Sequence, residues 1–200
     1  MNRRHARGVS PDGAANAVFG SGATVAEKSL ACGVGAAGAA VIIFAAWATR
    51  AEWHPLQWIL AVIVAFDVLG GVVANGLNSA KRAHIAAPAP GMSVLERVVR
   101  RPVLFTALHV HPIVIGLVYL PQLWWWGPVW YLVTLIGTAV VSTVPMYLAR
   151  PAALAVVALA AMGAAFTPNP PLWGWLPVML TLKLVLAHAV KEQPYEIGSD

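Results

Sequence analysis

Six long apolar stretches, separated by short polar breaks, take up most of this chain of 200 residues. A helix that crosses the hydrocarbon core of a bilayer needs about 20 predominantly apolar residues. Six such helices exhaust the length, so no separate soluble domain fits beside them. Composition points the same way: 59% of the residues are hydrophobic and 10% charged, and mean hydropathy is +0.71. A soluble globular domain carries about 25% charged residues. This chain has too few polar groups to cover its surface in water, so its solvent is lipid. The expectation is an all-α fold, an integral membrane bundle of six transmembrane helices with a short cytoplasmic interfacial helix.

The six spans are expected near residues 30–47, 55–75, 102–120, 128–148, 151–166 and 172–190. In the first, Ala31, Gly35 and Ala39 recur every four residues, a row of small side chains that permits close helix contact. The second span is expected to continue as a polar helix to about residue 84, before the break Ala86-Ala87-Pro88-Ala89-Pro90-Gly91. Ser93 with Glu96 three residues on predicts a capping box. The short helix it opens, 94–101, is apolar at Val94, Leu95, Val98 and Val99 and basic at Arg97, Arg100 and Arg101. That pattern suits a helix lying on the membrane surface. Residues 1–27 read as a disordered basic cytoplasmic tail, 28–192 as the transmembrane domain and 193–200 as a second cytoplasmic tail, with no secretory signal in evidence.

Orientation follows from lysine and arginine, which favour the cytoplasmic side of short loops. With the N-terminus inside, Arg3, Arg4, Arg7, Lys28, Lys81, Arg82, Arg97, Arg100, Arg101, Arg150 and Lys191 are cytoplasmic, and only Arg50 is outside. All nine tryptophans then fall at the outer ends of spans, where indole rings favour the interface as anchors. The net charge of +5 is therefore a record of topology, and no nucleic-acid partner is expected. The arginine-rich rim offers a place for anionic lipid headgroups. The expected partners are the bilayer, a lipophilic small molecule and a second copy of the chain. One cysteine, Cys32, leaves no disulfide and no cysteine-based metal site within one chain.

Ionisable groups inside spans are costly and face the bundle interior with a partner. At a rise of about 1.5 Å per residue, Asp67 and Lys183 both lie about 17–18 Å from the outer surface. His109 and His111, approached from the other side of span three, arrive at about 17–20 Å. Ser142 and Thr143 on span four fall at a similar level. A lower layer contains His188 and Glu192. On the second span Asp67, Gly71, Asn75, Asn78 and Arg82 share an arc of about 80° if the helix is continuous. They predict one polar stripe and a funnel that opens to the cytoplasm, with Asp67 as its floor. His109 and His111 point about 200° apart on a regular helix. Pro112, which cannot donate to the carbonyl of Leu108, either turns both rings inward or leaves one against a neighbouring helix. His5, His54 and His84 lie in tails or at interfaces and are set aside.

The sequence contains no spaced histidine boxes, His-Glu-x-x-His, phosphate-binding glycine loop or Gly-x-Ser-x-Gly elbow, and no internal repeat. The expected function is a membrane-embedded enzyme acting on a lipophilic substrate from the cytoplasmic side. Asp67, Lys183, His109 and His111 would do acid–base work, with Asn75, Asn78 and Arg82 binding substrate. No cofactor is specified; His109, His111 and His188, with Asp67, are the candidate ligands for a divalent metal such as zinc. The alternatives are a proton-coupled small transporter, a b-type haem protein with His109 or His111 facing His188, and a non-catalytic membrane subunit. In the last, Asp67 and Lys183 are a structural ion pair.

Overall fold

A computed structural model describes residues 17–87 and 92–193. Residues 1–16 of the expected N-terminal tail, 88–91 of the proline-containing break and the terminal residues 194–200 lie outside the described residues. The described residues form helices and no strand. Five helical segments are long and apolar enough to cross a membrane: Val25–Ala48, Pro55–Gly76, Pro102–Tyr119, Trp126–Thr143 and Met146–Phe166. The last apolar segment, Leu176–His188, is shorter. Large apolar side chains such as Phe44, Leu56, Ile63, Leu159 and Phe166 point outward from the long helices.

Helix α1 (Val25–Ala48) opens at Thr24, whose hydroxyl accepts from the Glu27 N–H at 3.1 Å while the Glu27 carboxylate accepts from the Thr24 N–H at 2.8 Å. The pair satisfies two otherwise orphaned donors of the first turn. Helix α2 (Pro55–Gly76) starts on a proline, whose missing N–H costs nothing there. These two helices pack through small residues, as the Ala31, Gly35, Ala39 row predicts. A Cβ on Gly35 would stand 3.0 Å from the Phe66 carbonyl oxygen, and one on Gly70 would stand 3.1 Å from that of Ala31. The backbones come this close because no side chain intervenes.

The expected continuation of α2 to residue 84 does not hold. Leu77 is extended, with ψ 145°, and α3 (Asn78–Ile85) starts afresh beyond it. Helix α4 (Val94–Val99) has the predicted capping box, Ser93 N–H to the Glu96 carboxylate at 2.8 Å and Glu96 N–H to the Ser93 hydroxyl at 3.2 Å. Arg100, just after α4, donates to the carbonyls of Ala86, at 2.8 Å, and Ala83. It thereby closes the open carbonyl end of α3, a favourable place for a cation.

The third apolar stretch is broken into α5 (Pro102–Ala107) and α6 (His111–Tyr119). Helix α7 (Trp126–Thr143) ends earlier than the expected residue 148, because Val144, held extended at ψ 154°, precedes Pro145. Helix α8 (Met146–Phe166) begins correspondingly earlier and includes Pro151 in its interior. Helix α9 (Leu176–Leu180) passes directly into a π-helical segment, Thr181–His188. Helix α1 packs on α2, α2 on the π segment, α6 on α7, and α7 and α8 close the bundle around the π segment.

The core gathers Val64, Val68, Ile115, Trp126, Trp173, Leu176, Leu180 and Leu184. Trp126 and Trp173 are fully buried and Trp130 nearly so, whereas Trp47 and Trp124 are exposed. The tryptophan cluster, expected as an interfacial anchor, thus divides in two. Some rings plug the bundle, with the Trp126 indole N–H held by the Asn169 side-chain oxygen at 2.9 Å.

Candidate functional site

Asp67 projects from the middle of α2 toward the π segment, where Lys183 is nearly inaccessible, its side chain 3% exposed. The Lys183 ammonium donates to Asp67 Oδ2 at 2.7 Å and to the Asp67 backbone oxygen at 3.2 Å. Either charge alone would be expensive to bury, and the contact compensates both. Room for the lysine comes from Gly71, one turn along α2. A Cβ there would stand 2.4 Å from Lys183 Cε and 2.9 Å from Nζ.

The π segment fixes where Lys183 points. Its hydrogen bonds reach one residue further than those of an α-helix, a feature often found at functional sites. Asn75, also on α2 and buried, donates to the Lys183 carbonyl at 3.2 Å. Asp67, Gly71 and Asn75 therefore do form the face that was expected, and that face meets Lys183. The rest of the stripe is not continuous with it. Beyond the break at Leu77, Asn78 is exposed, and Arg82 lies on the separate helix α3.

His111 Nε2 lies 3.4 Å from the same Asp67 Oδ2. The His109 and His111 ring centroids are 5.3 Å apart, so the broken helix turns both rings to one side. In the gap between α5 and α6, Val110 has ψ 10°, off the helical value. His109 Nδ1 is 2.8 Å from the Phe105 carbonyl oxygen, an acceptor near the end of α5. Thus Asp67, Lys183, His109 and His111 are brought together as expected. Ser142 and Thr143 are not. Both hydroxyls donate back to carbonyls of α7, those of Thr138 at 2.7 Å and Val140 at 2.9 Å, as such residues commonly do inside helices.

Below the cluster, the Phe105 ring lies between His109, at a centroid distance of 4.5 Å, and His188, at 4.3 Å. His188 does not join His109 and His111 around a common point, and among the described residues no group of three or more His, Cys, Asp or Glu is arranged to hold a metal ion. Glu192, expected in this layer, pairs instead with Arg150 at 2.7 Å.

His188 is buried, its ring nitrogens without a hydrogen bond of normal geometry and with the Val99 backbone as polar neighbour. Its ring stands edge-on to His84, centroids 4.7 Å apart. His84 was set aside in the sequence because it lies past the span, and only the fold brings it here. Burial pushes the His84 imidazole down to about 4, and the charges of Lys81, Arg100 and Lys191 push the same way. Lys81 itself is buried and donates to the carbonyls of Ala187, at 2.5 Å, and Val190, at 2.7 Å, closing the end of the last helix.

The expected single funnel is two separate spaces. A cavity of about 260 Å³ near α3 and α4 is lined by Asn75, His84, Glu96 and Arg100. A groove of about 140 Å³ between α1 and α2 is the one that Asp67 lines. The signals the sequence did not yield are the role of Phe105 as a divider and that of Gly71 as the seat of Lys183. A glycine one turn from a mid-span acid was visible, but its partner was not. No protein-family model, curated protein or solved structure matches this chain.

Proposed function

We propose that this chain is a six-span membrane protein with both ends in the cytoplasm, and that it is a membrane-embedded enzyme using acid–base chemistry on a lipophilic substrate. The observation that carries the reading is the state of the Asp67 carboxylate. It contacts both Lys183 and His111, yet its side chain remains 44% exposed. A purely structural ion pair has no need of an open side, whereas a proton-transfer group must reach its substrate. Six spans are supported by five long apolar helices plus the apolar Leu176–His188 segment, lengthened by the turns before it. In this reading Asp67 takes or gives the substrate proton. Lys183 stabilises negative charge on the carboxylate or on the substrate beside it. His111 and His109 carry the proton away from the carboxylate.

The test is a comparison of membrane lipids, by mass spectrometry, from one host producing the wild-type chain or Asp67→Asn at equal folded amounts. A lipid species that accumulates or disappears only with the wild type supports the reading, and identical profiles overturn it. A second reading, a proton-coupled small transporter, is favoured by the two imidazoles, His111 and His109, that stand beside the Asp67 carboxylate. It predicts pH-driven proton flux into proteoliposomes that Asp67→Asn abolishes.

A further inference from the structure

Building on the enzyme reading, we infer that the groove beside Asp67 binds the head of an uncharged, hydroxyl-bearing lipid, whose O–H donates to Asp67 Oδ1. Both contacts that hold the carboxylate, from Lys183 and from His111, use Oδ2. Among the described residues Oδ1 receives none, and it is not among the buried unpaired atoms, so it reaches an accessible surface. Asp67 is one of the residues that line the groove of about 140 Å³ between α1 and α2, and we place Oδ1 on it. Its other walls include Ala31, Cys32, Phe66, Gly70 and Ala74. They are apolar or small.

Charge selects among the possible heads. Among the described residues no lysine, arginine or histidine lines the groove, so a phosphate or carboxylate head would find no cation there to pair with. An ammonium head would find the carboxylate already neutralised by Lys183, and a second cation in apolar surroundings would be left uncompensated. A neutral hydroxyl needs only an acceptor. A carboxylate oxygen is a stronger acceptor than an uncharged one. A hydroxyl donating to Oδ1 is also the group on which the proposed base would act.

Cys32 provides the readout, because it is exposed, lines the groove and is the chain's one cysteine. The wild-type protein in nanodiscs is alkylated with N-ethylmaleimide in the presence of dodecan-1-ol, its methyl ether, dodecylamine or dodecanoic acid. The alcohol is expected to slow alkylation of Cys32, and the ether to need about tenfold more for the same protection, the worth of one hydrogen bond to a charged acceptor. The ether partitions into the bilayer much as the alcohol does, so it separates recognition from membrane loading. In Asp67→Ala, with unliganded alkylation unchanged from wild type, the advantage of alcohol over ether is expected to vanish. The inference is overturned if ether and alcohol protect equally in the wild type, if the amine or the acid protects better, or if none protects. Binding is read without turnover. A failure here with Asp67-dependent lipid conversion intact removes only the substrate class, while specific alcohol protection without any conversion removes only the enzyme.

Discussion

Lys183 reaches Asp67 across Gly71: its Nζ sits 2.7 Å from the Asp67 carboxylate while its stem occupies the space a Cβ at residue 71 would need. The two partners are unequally placed, since the lysine side chain is 3% exposed and the aspartate 44%. That asymmetry makes the pair's energetics predictable, because the cost of breaking an ion pair depends on which charge is left behind.

Asp67→Asn strands a buried ammonium and is expected to cost about 3–5 kcal/mol of stability. Lys183→Met strands a carboxylate that is half open and still has His111, and should cost about 1–2 kcal/mol, the range between exposed and buried pairs. The double variant should lose clearly less than the sum. Thermal unfolding of the three proteins in one detergent checks the order, and additive losses would contradict the contact.

Gly71→Ala drives a methyl group into the lysine stem. Overpacking of this kind costs about 1–3 kcal/mol. Asp67-dependent activity should fall with it, because Lys183 must move. An active, fully stable Gly71→Ala protein would show that the stem does not lie there.

The pH dependence of stability should carry a signature of His84. Its folded value lies at about 4, below the ordinary value of 6.5. Above pH 6.5 it is neutral, folded or unfolded, and contributes no slope. As pH falls from about 6.5 to about 4, the unfolded chain takes up a proton that the folded one refuses, so stability is lost across that window. His84→Gln should flatten the decline in melting temperature between these limits. An unchanged slope would place His84 in water.

Topology is tested by single cysteines in a Cys32→Ser background. A membrane-impermeant maleimide should label Glu52→Cys, in the exposed loop between α1 and α2, from outside intact cells. It should label Arg97→Cys, on the exposed face of α4, only after the cells are opened. The opposite pattern would invert the orientation proposed from the lysines and arginines.

Much of this arrangement was legible in the sequence, for a physical reason. Depth in a membrane helix is counted at a fixed rise, so Asp67, Lys183 and the two histidines could be placed on one level without coordinates. Angle is not counted so easily. One extended residue, Leu77, cut the stripe between Asn75 and Asn78, and nothing in Asn75-Gly76-Leu77-Asn78 marked it beyond a glycine. The π segment that aims Lys183 has no sequence signature in Thr181–His188. Pro112 did announce a distortion, and the structure selected one of its two outcomes. His84 was dismissed because linear position placed it outside the bundle, while the turn at Leu77 folds α3 back toward His188.

The central claim is that Asp67 and Lys183 do chemistry and do not merely hold helices together. The double variant Asp67→Asn/Lys183→Met separates the two, because it removes both charges and leaves neither stranded. Its effect on membrane lipids, read by mass spectrometry beside the wild type at equal folded amounts, is the direct measurement. A folded double variant that leaves the lipids as the host makes them is the predicted result. One that alters the same lipid species as the wild type, to the same extent, would contradict the account and return the pair to a structural role.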